Sequence, residues 1–224
     1  MSANGVPFLS IGNKLLDSLP ANELGIIKPY LEESPLTKQS ALTNPGEKSK
    51  VVYFPITGLV SCMGCTPAGE QLEIYAAGRH DVIGVTGDSS VAKVQIQGSA
   101  ATVERKHLFD LLPRLETFRD ILLRYLANLT IRVGQRACCA HFHRTPARIC
   151  LWLVLAAEIT GNLQLECTQQ SIADAVGTRR STVTVAMGEL ERRNVVSCRR
   201  GQIDIIDPVR LQAECCDCLG ALRI

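Results

Sequence analysis

The hydrophobic and polar positions divide the chain into three parts with different periodicities. Residues 51–104 contain short apolar runs separated by glycine turns, which is typical of β-strands of about four to eight residues. Residues 115–133 carry apolar side chains at three- and four-residue spacing, which predicts one long amphipathic helix. Residues 165–207 combine two short helical patterns with an alternating strand pattern. The chain is therefore predicted to be α+β, with its strands before its main helices.

The third part has the local signals of two helices joined by a tight turn. Thr168 is a good N-cap for the first helix, and Gly177 suits the left-handed backbone that ends a short helix. The second helix has an apolar stripe at Val183, Met187 and Leu190, while its first residues are polar. Two short helices joined by a glycine turn predict a helix-turn-helix.

A hairpin follows this helix pair. The segment SCRR precedes Gly201, and the alternating QIDIID follows it, as expected for the wing of a winged helix. One α-helix fits the major groove of DNA, and residues near its start reach the base edges. The predicted DNA contacts have polar groups that can reach bases or phosphates, and they are Thr168, Gln169, Gln170, Arg179, Arg180, Ser181, Thr182, Thr184, Arg199 and Arg200. The alternative is that these arginines form the solvated face of an ordinary helical hairpin.

These motifs resemble a known family. The segments TQQSIADAVGTRRSTVTVAMGELERRNVV and RRGQIDIIDPVRL resemble the C-terminal winged helix of Crp/Fnr-type transcription regulators, and the likeness extends upstream to about Leu15. It is nearest to members that end in a short cysteine-bearing tail, here AECCDCLG. The resemblance implies a homodimer on double-stranded DNA with a palindromic operator, an effector sensed by the N-terminal domain and, for activation, contact with RNA polymerase.

The resemblance also implies a fold and a division into domains. The fold is an N-terminal double-stranded β-helix, a jelly roll like that of cyclic-nucleotide-binding domains, followed by a long dimerisation helix and a C-terminal winged helix-turn-helix. The expected bounds are 13–112 for the barrel, 113–140 for the helix, 144–212 for the DNA reader and 213–224 for the tail, with a hinge at residues 137–146. Ser181 and Val185 stand where the best-known members carry Glu and Arg, so we expect a different operator.

The long helix is predicted to pack against two partners. One edge of its apolar stripe should pack on the barrel, and the other should pair with the same helix of a second subunit. The residues assigned to this stripe and to dimerisation are Leu115, Phe118, Leu122, Leu126, Leu129 and Val133. The alternative is an ordinary core helix in a monomer.

The barrel does not carry the phosphate-binding pattern of cyclic-nucleotide sensors. Its predicted tight turns are at Gly58, Gly69, Gly78 and Gly84, with residues 31–49 as turns and 78–84 as a strand. In those sensors a Gly-Glu pair precedes an Arg-Ser or Arg-Thr pair. Here Gly84 is followed by Val85, and the next residues offer Ser89, Ser90 and Lys93 but no arginine. Without a bidentate cation a buried phosphate loses its strongest partner, so we expect no cyclic nucleotide and either a degenerate pocket or another ligand.

The cysteines and histidines leave several hypotheses open. The chain has ten cysteines and no visible secretory signal, which favours free thiols in a reducing cytoplasm. Cys62 and Cys65 have CxxC spacing but fall on opposite faces of a predicted strand. We therefore expect no metal site, cluster or haem, the histidines considered for haem being His80, His107, His141 and His143. The alternative is a small-ligand, redox- or metal-responsive sensor with thiols at the hinge or tail, the candidate redox thiols being Cys215, Cys216 and Cys218.

Composition and motifs limit the possible partners, the location and the class of the protein. The formal net charge is only +2, so a nucleic-acid partner depends on a local basic patch, and because the last lysine is Lys106 that patch must consist of arginine. No run of about 18 apolar residues is present, so we expect no membrane span and a cytoplasmic protein. No nucleophile–base motif or phosphate loop is recognisable, so we expect no enzyme.

Overall fold

The computed structural model describes residues 10–44, 46–68, 71–86 and 90–223, with the side chain of Ser90 excluded. Two β-sheets and short helices come first, one long helix follows, and a helical unit with a small hairpin ends the chain. This order confirms the predicted α+β fold.

Two short helices precede the strands, as the proline at position 20 suggests. They are α1 (Lys14–Asp17) and α2 (Ala21–Ile27), and a single 3₁₀ turn follows at Lys28–Tyr30. Asn13 caps α1 with its side-chain oxygen, and its amide nitrogen donates to the carbonyls of Pro55 and Asp81 at 2.9 and 3.0 Å. This buried asparagine therefore fixes the N-terminal helices on the barrel.

In the part of the chain that the structure describes, seven strands form the N-terminal barrel. They are β1 (Glu32–Leu36), β2 (Ala41–Thr43), β3 (Val51–Pro55), β4 (Leu59–Cys65), β5 (Gln71–Ala77), β6 (Ser90–Ile96) and β7 (Gly98–Glu104). One sheet has the order β1-β7-β3 and the other β2-β6-β4-β5, with every pairing antiparallel. Their inner faces share one core, to which Phe54, Val60, Val94 and Val103 belong. Alternation along the strands produces this core because successive side chains point to opposite faces.

Two features of the barrel differ from the sequence prediction. Residues 31–49 contain β1 and β2, and Pro35 is tolerated in β1 because β1 lies at the edge of its sheet. Residues 78–84 form a turn in which Asp81 accepts a hydrogen bond from the backbone N–H of Gly78 at 2.9 Å, and only Ile83 bridges to a strand. The predicted turn at Gly69 and the predicted phosphate-segment residue Ser89 lie outside the described residues.

The long helix begins beside the barrel, and it starts and ends two to three residues later than the predicted bounds of 113–140. After α3 (Arg105–Leu111) and a 3₁₀ turn, α4 runs over Glu116–Phe142. It has 27 residues, which corresponds to a length of about 40 Å. The predicted hinge at residues 137–146 is therefore mostly helical, and only His143 and Arg144 separate α4 from the next helix. Residues 137–142 stay helical since they contain neither proline nor glycine, and Pro146 lies in the first turn of that next helix.

The C-terminal unit is helical with a three-stranded sheet. Its elements are α5 (Thr145–Thr160), β8 (Gln164–Leu165), α6 (Gln169–Val176), α7 (Arg180–Arg192), β9 (Val196–Arg199), β10 (Gln202–Ile205), α8 (Pro208–Ala213) and α9 (Leu219–Leu222). Trp152, Ile172 and Met187 belong to its core, and so do Leu219 and Leu222 of the tail. The tail therefore packs back on the unit that it follows. Among the described residues, no helix combines the length and apolarity that a membrane crossing requires.

Candidate nucleic-acid interface

The turn between α6 and α7 has the geometry that its sequence predicts. The hydroxyl of Thr168 accepts a hydrogen bond from the backbone N–H of Ser171 at 3.0 Å and so caps α6. Gly177 ends α6 with a φ of +63°, in the left-handed region. A β-carbon there would lie 2.7 Å from Leu72 of β5, so both conformation and space favour glycine. The helix pair is thus fixed locally and rests on the barrel.

The start of α7 presents a polar face to solvent. Arg179 is the N-cap, and Arg180, Ser181 and Thr184 are exposed in the first turns, while Thr182 is half-buried. The opposite face of α7 is buried in the core of the C-terminal unit through side chains that include Val183, Ala186, Met187 and Leu190. Because residues three and four apart share a helix face, the exposed residues form one surface patch.

The predicted contacts at the start of α6 lie beside this patch. The hydroxyl of Thr184 donates to the side-chain oxygen of Gln169 at 2.7 Å, which links α7 to α6. Gln170 donates through its side-chain amide to Asp174 at 2.7 Å. Gln169 is therefore placed to orient Thr184, whereas Thr168 serves as a cap.

The wing is a tight hairpin of β9 and β10. Gln202 pairs with Arg199, and Arg200 and Gly201 form the turn, with Gly201 at a φ of +77°. Both arginines are exposed, and the Nε of Arg199 lies 3.7 Å from Asp204. The structure thus places two guanidinium groups at the tip of the wing.

One exposed side chain was not among the predicted contacts. Val185 is 75% exposed on the patch of α7, four residues after Ser181. An apolar side chain in the major groove can contact the methyl group of thymine. Helical spacing from Ser181 could have identified it, but its apolar character led us to treat it only as a departure from the family pattern.

The residues assigned to dimerisation lie mainly inside the protomer. Leu115, Phe118, Leu122 and Leu129 are buried in the barrel core, while Leu126 and Val133 are half-buried against it. The assignment of the four buried residues therefore needs correction, because they lie on the face that α4 packs on its own barrel, whereas Leu126 and Val133 remain predicted dimer contacts. The exposed face of α4 instead carries Leu123 and Ile131, at 66% and 65% exposure.

The end of α4 and the tail bring four potential ligands together. The ligand atoms of Cys139, His143, Cys216 and Cys218 all lie within 4.8 Å of one another. Cys215 instead directs its thiol to the carbonyl of Leu211 at 3.4 Å. Burial, together with the neighbouring thiols, raises the pKa of Cys139 to about 12.

Two cavities among the described residues bear on the predicted sensing of an effector. The one inside the barrel, beside Gly84, measures about 10 Å³ among the described residues, which is room for about one water. A second cavity of about 90 Å³ lies where β5, α4, α5 and the tail meet. His80 lines it, and burial, together with the charge of Arg79, lowers the pKa of His80 from 6.5.

Buried ion pairs lie at the same second cavity, which Glu73, Arg132 and Arg136 line. Arg132 of α4 lies 2.9 Å from Asp81, and Arg136 of α4 lies 2.7 Å from Glu73. The second oxygen of Glu73 accepts from Trp152 of α5 at 3.3 Å. Barrel, long helix and C-terminal unit therefore meet at this point.

Comparison with known proteins agrees with this organisation. Residues 147–214 match the Crp-like helix-turn-helix domain. A curated relative, the global nitrogen regulator of Synechocystis sp., is 26% identical over 190 residues, which cover 76% of this chain and 82% of the relative.

Solved structures share the fold. FixK2 from Bradyrhizobium japonicum has a TM-score of 0.70 at 18% identity, covering 83% of this chain and 98% of its own. A transcriptional regulator of the Crp/Fnr family from Eubacterium rectale has a TM-score of 0.66 at 15% identity, covering 90% of this chain and 97% of its own. The family match over residues 147–214, the curated relative and the shared fold together support a Crp/Fnr-type transcription regulator.

Proposed function

We propose that the chain is a homodimeric, sequence-specific transcription regulator that inserts α7 into the major groove of a palindromic operator. The observation that carries this proposal is the exposed polar patch at the start of α7, together with two exposed arginines at the tip of the wing. Arg180 forks onto guanine or phosphate, and Arg199 and Arg200 contact the flanking backbone. Since the phosphate contacts release counterions, specific binding weakens steeply with salt.

The exposed face of α4 supports the dimer. Leu123 and Ile131 are eight residues apart, and the small residues Ala127 and Gly134 lie on the same exposed face. A β-carbon at Gly134 would meet nothing within 4 Å in the protomer, so space for a second helix is available there. Two copies of α4 pair along this face, and the twofold axis that results matches a palindromic operator.

The cavity of about 90 Å³ at the meeting point of barrel, α4 and α5 favours a small effector there over a cyclic nucleotide in the barrel. Arg132 and Arg136 line it and are already paired with carboxylates. A small anionic molecule that competes for these arginines shifts α4 relative to the barrel. The alternative, a redox response of the tail thiols, predicts DNA binding in only one redox state.

Selection from a random duplex library at near-physiological salt tests the DNA-binding proposal. We expect enrichment of a palindrome by the purified protein, with reducing and oxidising conditions run in parallel. Arg180→Ala should weaken binding to the selected site by about 1–3 kcal/mol if Arg180 holds a guanine. Arg192→Ala is the matched control, because Arg192 lies in the last turn of the same helix and pairs with Glu189. No enrichment in either redox state, with or without a metabolite mixture, contradicts the proposal.

A further inference from the structure

The last turn of α4 and the C-terminal tail form a compact set of three thiols and one imidazole. Cys139 lies in the last turn of α4, and His143 directly follows the helix as its C-cap, with its backbone N–H donating to the carbonyl of Cys139 at 3.2 Å. Cys216 and Cys218 come from the segment between α8 and α9, which the buried Leu219 anchors to the C-terminal unit. Each pair follows from local sequence, but only the packing of the tail brings the two pairs together.

Their spacing fits a single tetrahedral ion. The sulfur atoms of Cys139 and Cys216 are 3.5 Å apart, and the sulfur of Cys218 is 3.3 Å from Nδ1 of His143. In a tetrahedral zinc site the bond lengths require about 3.8 Å between two sulfurs and about 3.6 Å between sulfur and nitrogen. The distances in the protein are thus a few tenths of an ångström short of those edges, and small side-chain rotations open the space for the ion.

The groups around the four atoms complete the pattern of a metal centre. Nε2 of His143 lies 3.3 Å from a carboxylate oxygen of Asp217. A histidine that binds a metal through one ring nitrogen usually donates the other N–H to a carboxylate, which fixes the tautomer and the ring. Gln135 donates from its side-chain amide to the sulfur of Cys218 at 3.0 Å. The orientation that leaves Nδ1 facing the thiols is therefore supported from outside the cluster.

We propose that Cys139, His143, Cys216 and Cys218 bind one Zn²⁺ ion per protomer in a closed structural site. Three thiols and one imidazole are a donor set that tetrahedral zinc prefers, and four protein ligands leave no open position for catalysis. Binding releases three thiol protons, so the occupied site carries one net negative charge. The guanidinium of Arg148 donates to the carbonyl of Ala140, next to Cys139, at 3.4 Å and supplies a positive charge near the site.

A multi-iron cluster fits these distances less well. In such a cluster the four protein ligands are divided among two or four irons, so the ligand atoms are spread around several metal ions. Here all four ligand atoms lie within 4.8 Å of one another. A single ion is the simpler occupant of a space of this size.

The location of the site suggests that a bound ion restricts the orientation of the DNA reader. This consequence rests on the proposed function. Only His143 and Arg144 separate α4 from α5, so the site lies where the long helix passes into the DNA reader. A bound ion would join that passage to the tail and so limit the orientations of α7 relative to α4. Metal binding itself is measured without DNA, so this proposal and the DNA-binding proposal can fail separately.

Metal titration of the full-length reduced protein tests the site. After removal of metal by a strong chelator, Zn²⁺ is added in competition with a chromogenic chelator, and Co²⁺ is added as a spectroscopic probe. We expect one equivalent per protomer, with the visible d–d bands of tetrahedral Co²⁺ and thiolate-to-cobalt charge transfer. Zinc should also raise the unfolding temperature, since the assembled site binds it more tightly than the separated thiols of the unfolded chain do.

Variants separate this site from adventitious binding. Cys216→Ser and His143→Ala should remove the tetrahedral cobalt spectrum, and Asp217→Asn should weaken zinc affinity by about 10- to 100-fold. Cys138→Ser and His141→Ala are the matched controls, because both residues are exposed neighbours of the ligands and should leave binding unchanged. Thermal unfolding of each metal-free variant shows whether it folds. Equal zinc affinity in folded Cys216→Ser and wild type, or loading with iron and inorganic sulfide instead of one ion, would overturn the proposal.

Discussion

The guanidinium of Arg136 lies 2.7 Å from one carboxylate oxygen of Glu73, and their side chains are only 12% and 1% exposed. The other oxygen of Glu73 accepts hydrogen bonds from Ser61 of β4 and from Trp152 of α5. One buried carboxylate therefore holds two barrel strands, the long helix and the first helix of the DNA reader. In the proposed function these are the parts that an effector shifts relative to one another, so we expect this carboxylate to influence both the stability and the transmission of the signal.

Loss of the Glu73 charge should lower the free energy of unfolding. Glu73→Gln leaves Arg136 buried without a counter-charge, and breaking a buried pair costs about 3–5 kcal/mol of unfolding free energy. Chemical denaturation measures this change. Glu189→Gln is the control, because its exposed pair with Arg192 should contribute at most about 1 kcal/mol.

A double-mutant cycle distinguishes the ion pair from general packing. Addition of Arg136→Met to Glu73→Gln removes the unpaired charge, so the double variant should be more stable than the sum of the single effects predicts. Strict additivity would contradict the pairing as the source of the cost.

Glu23 should give the stability a pH dependence. Its carboxylate accepts hydrogen bonds from the backbone N–H groups of Thr117 and Phe118 at 2.8 and 2.9 Å and so caps α4. Burial alone raises the pKa of Glu23, but these hydrogen bonds and the nearby charge of Arg119 outweigh it, so the pKa lies below 4.5. A depressed folded-state pKa contributes stability above the unfolded pKa, and that stability is lost as the pH falls through the folded pKa.

The measurement is the unfolding free energy from neutral pH to below pH 4.5. We expect Glu23→Gln to cost about 1–2 kcal/mol at neutral pH, as for the loss of a charged helix cap. The difference from wild type should shrink in acid. Glu116→Gln, at an exposed position in the same helical turn, is the control. A gap that stays constant over the whole range would show that the Glu23 charge does not cap the helix.

The stability of α6 should depend on the side-chain oxygen of its N-cap residue, Thr168. Thr168→Ala removes the oxygen that accepts from Ser171 and should cost about 1 kcal/mol of stability. Thr168→Ser keeps that oxygen and should unfold like wild type. Thermal or urea unfolding checks both variants. If the two variants lose the same stability, the cap is not the cause.

The exposed face of α4 predicts which substitutions break the dimer. Leu123→Glu and Ile131→Glu place a charge on this face and should yield folded monomers with weakened operator binding. Sedimentation velocity or light scattering reports the mass. Leu163→Glu is the control, because it adds the same charge at another exposed leucine. Dimers that persist in both α4 variants would place the subunit contact elsewhere.

Local sequence by itself determined much of the architecture. The cap at Thr168, the glycine at position 177 and the spacing of Val183 and Met187 specify α6, the turn and α7, because capping and helical periodicity act within a few residues. The same holds for the wing, where Gly201 supplies the positive φ of a tight hairpin turn. The polar patch on α7 follows directly, since the faces of a helix are set by spacing.

Tertiary structure decided which apolar face of α4 meets which partner. The stripe that contains Phe118 and Leu129 is strongly apolar, and periodicity cannot say whether its partner is a barrel or a second subunit. The structure buries that stripe against the barrel and leaves Leu123 and Ile131 exposed.

Local sequence also cannot predict which distant residues form the buried ion pairs and the proposed metal site. Glu73 and Arg136 are 63 residues apart, and Cys139 and Cys216 are 77 apart. No local rule pairs them, because their contacts form only when the barrel, the long helix and the tail pack together. The sequence determined the elements and their faces through short-range physics, and the packed fold decided which distant side chains share a buried space.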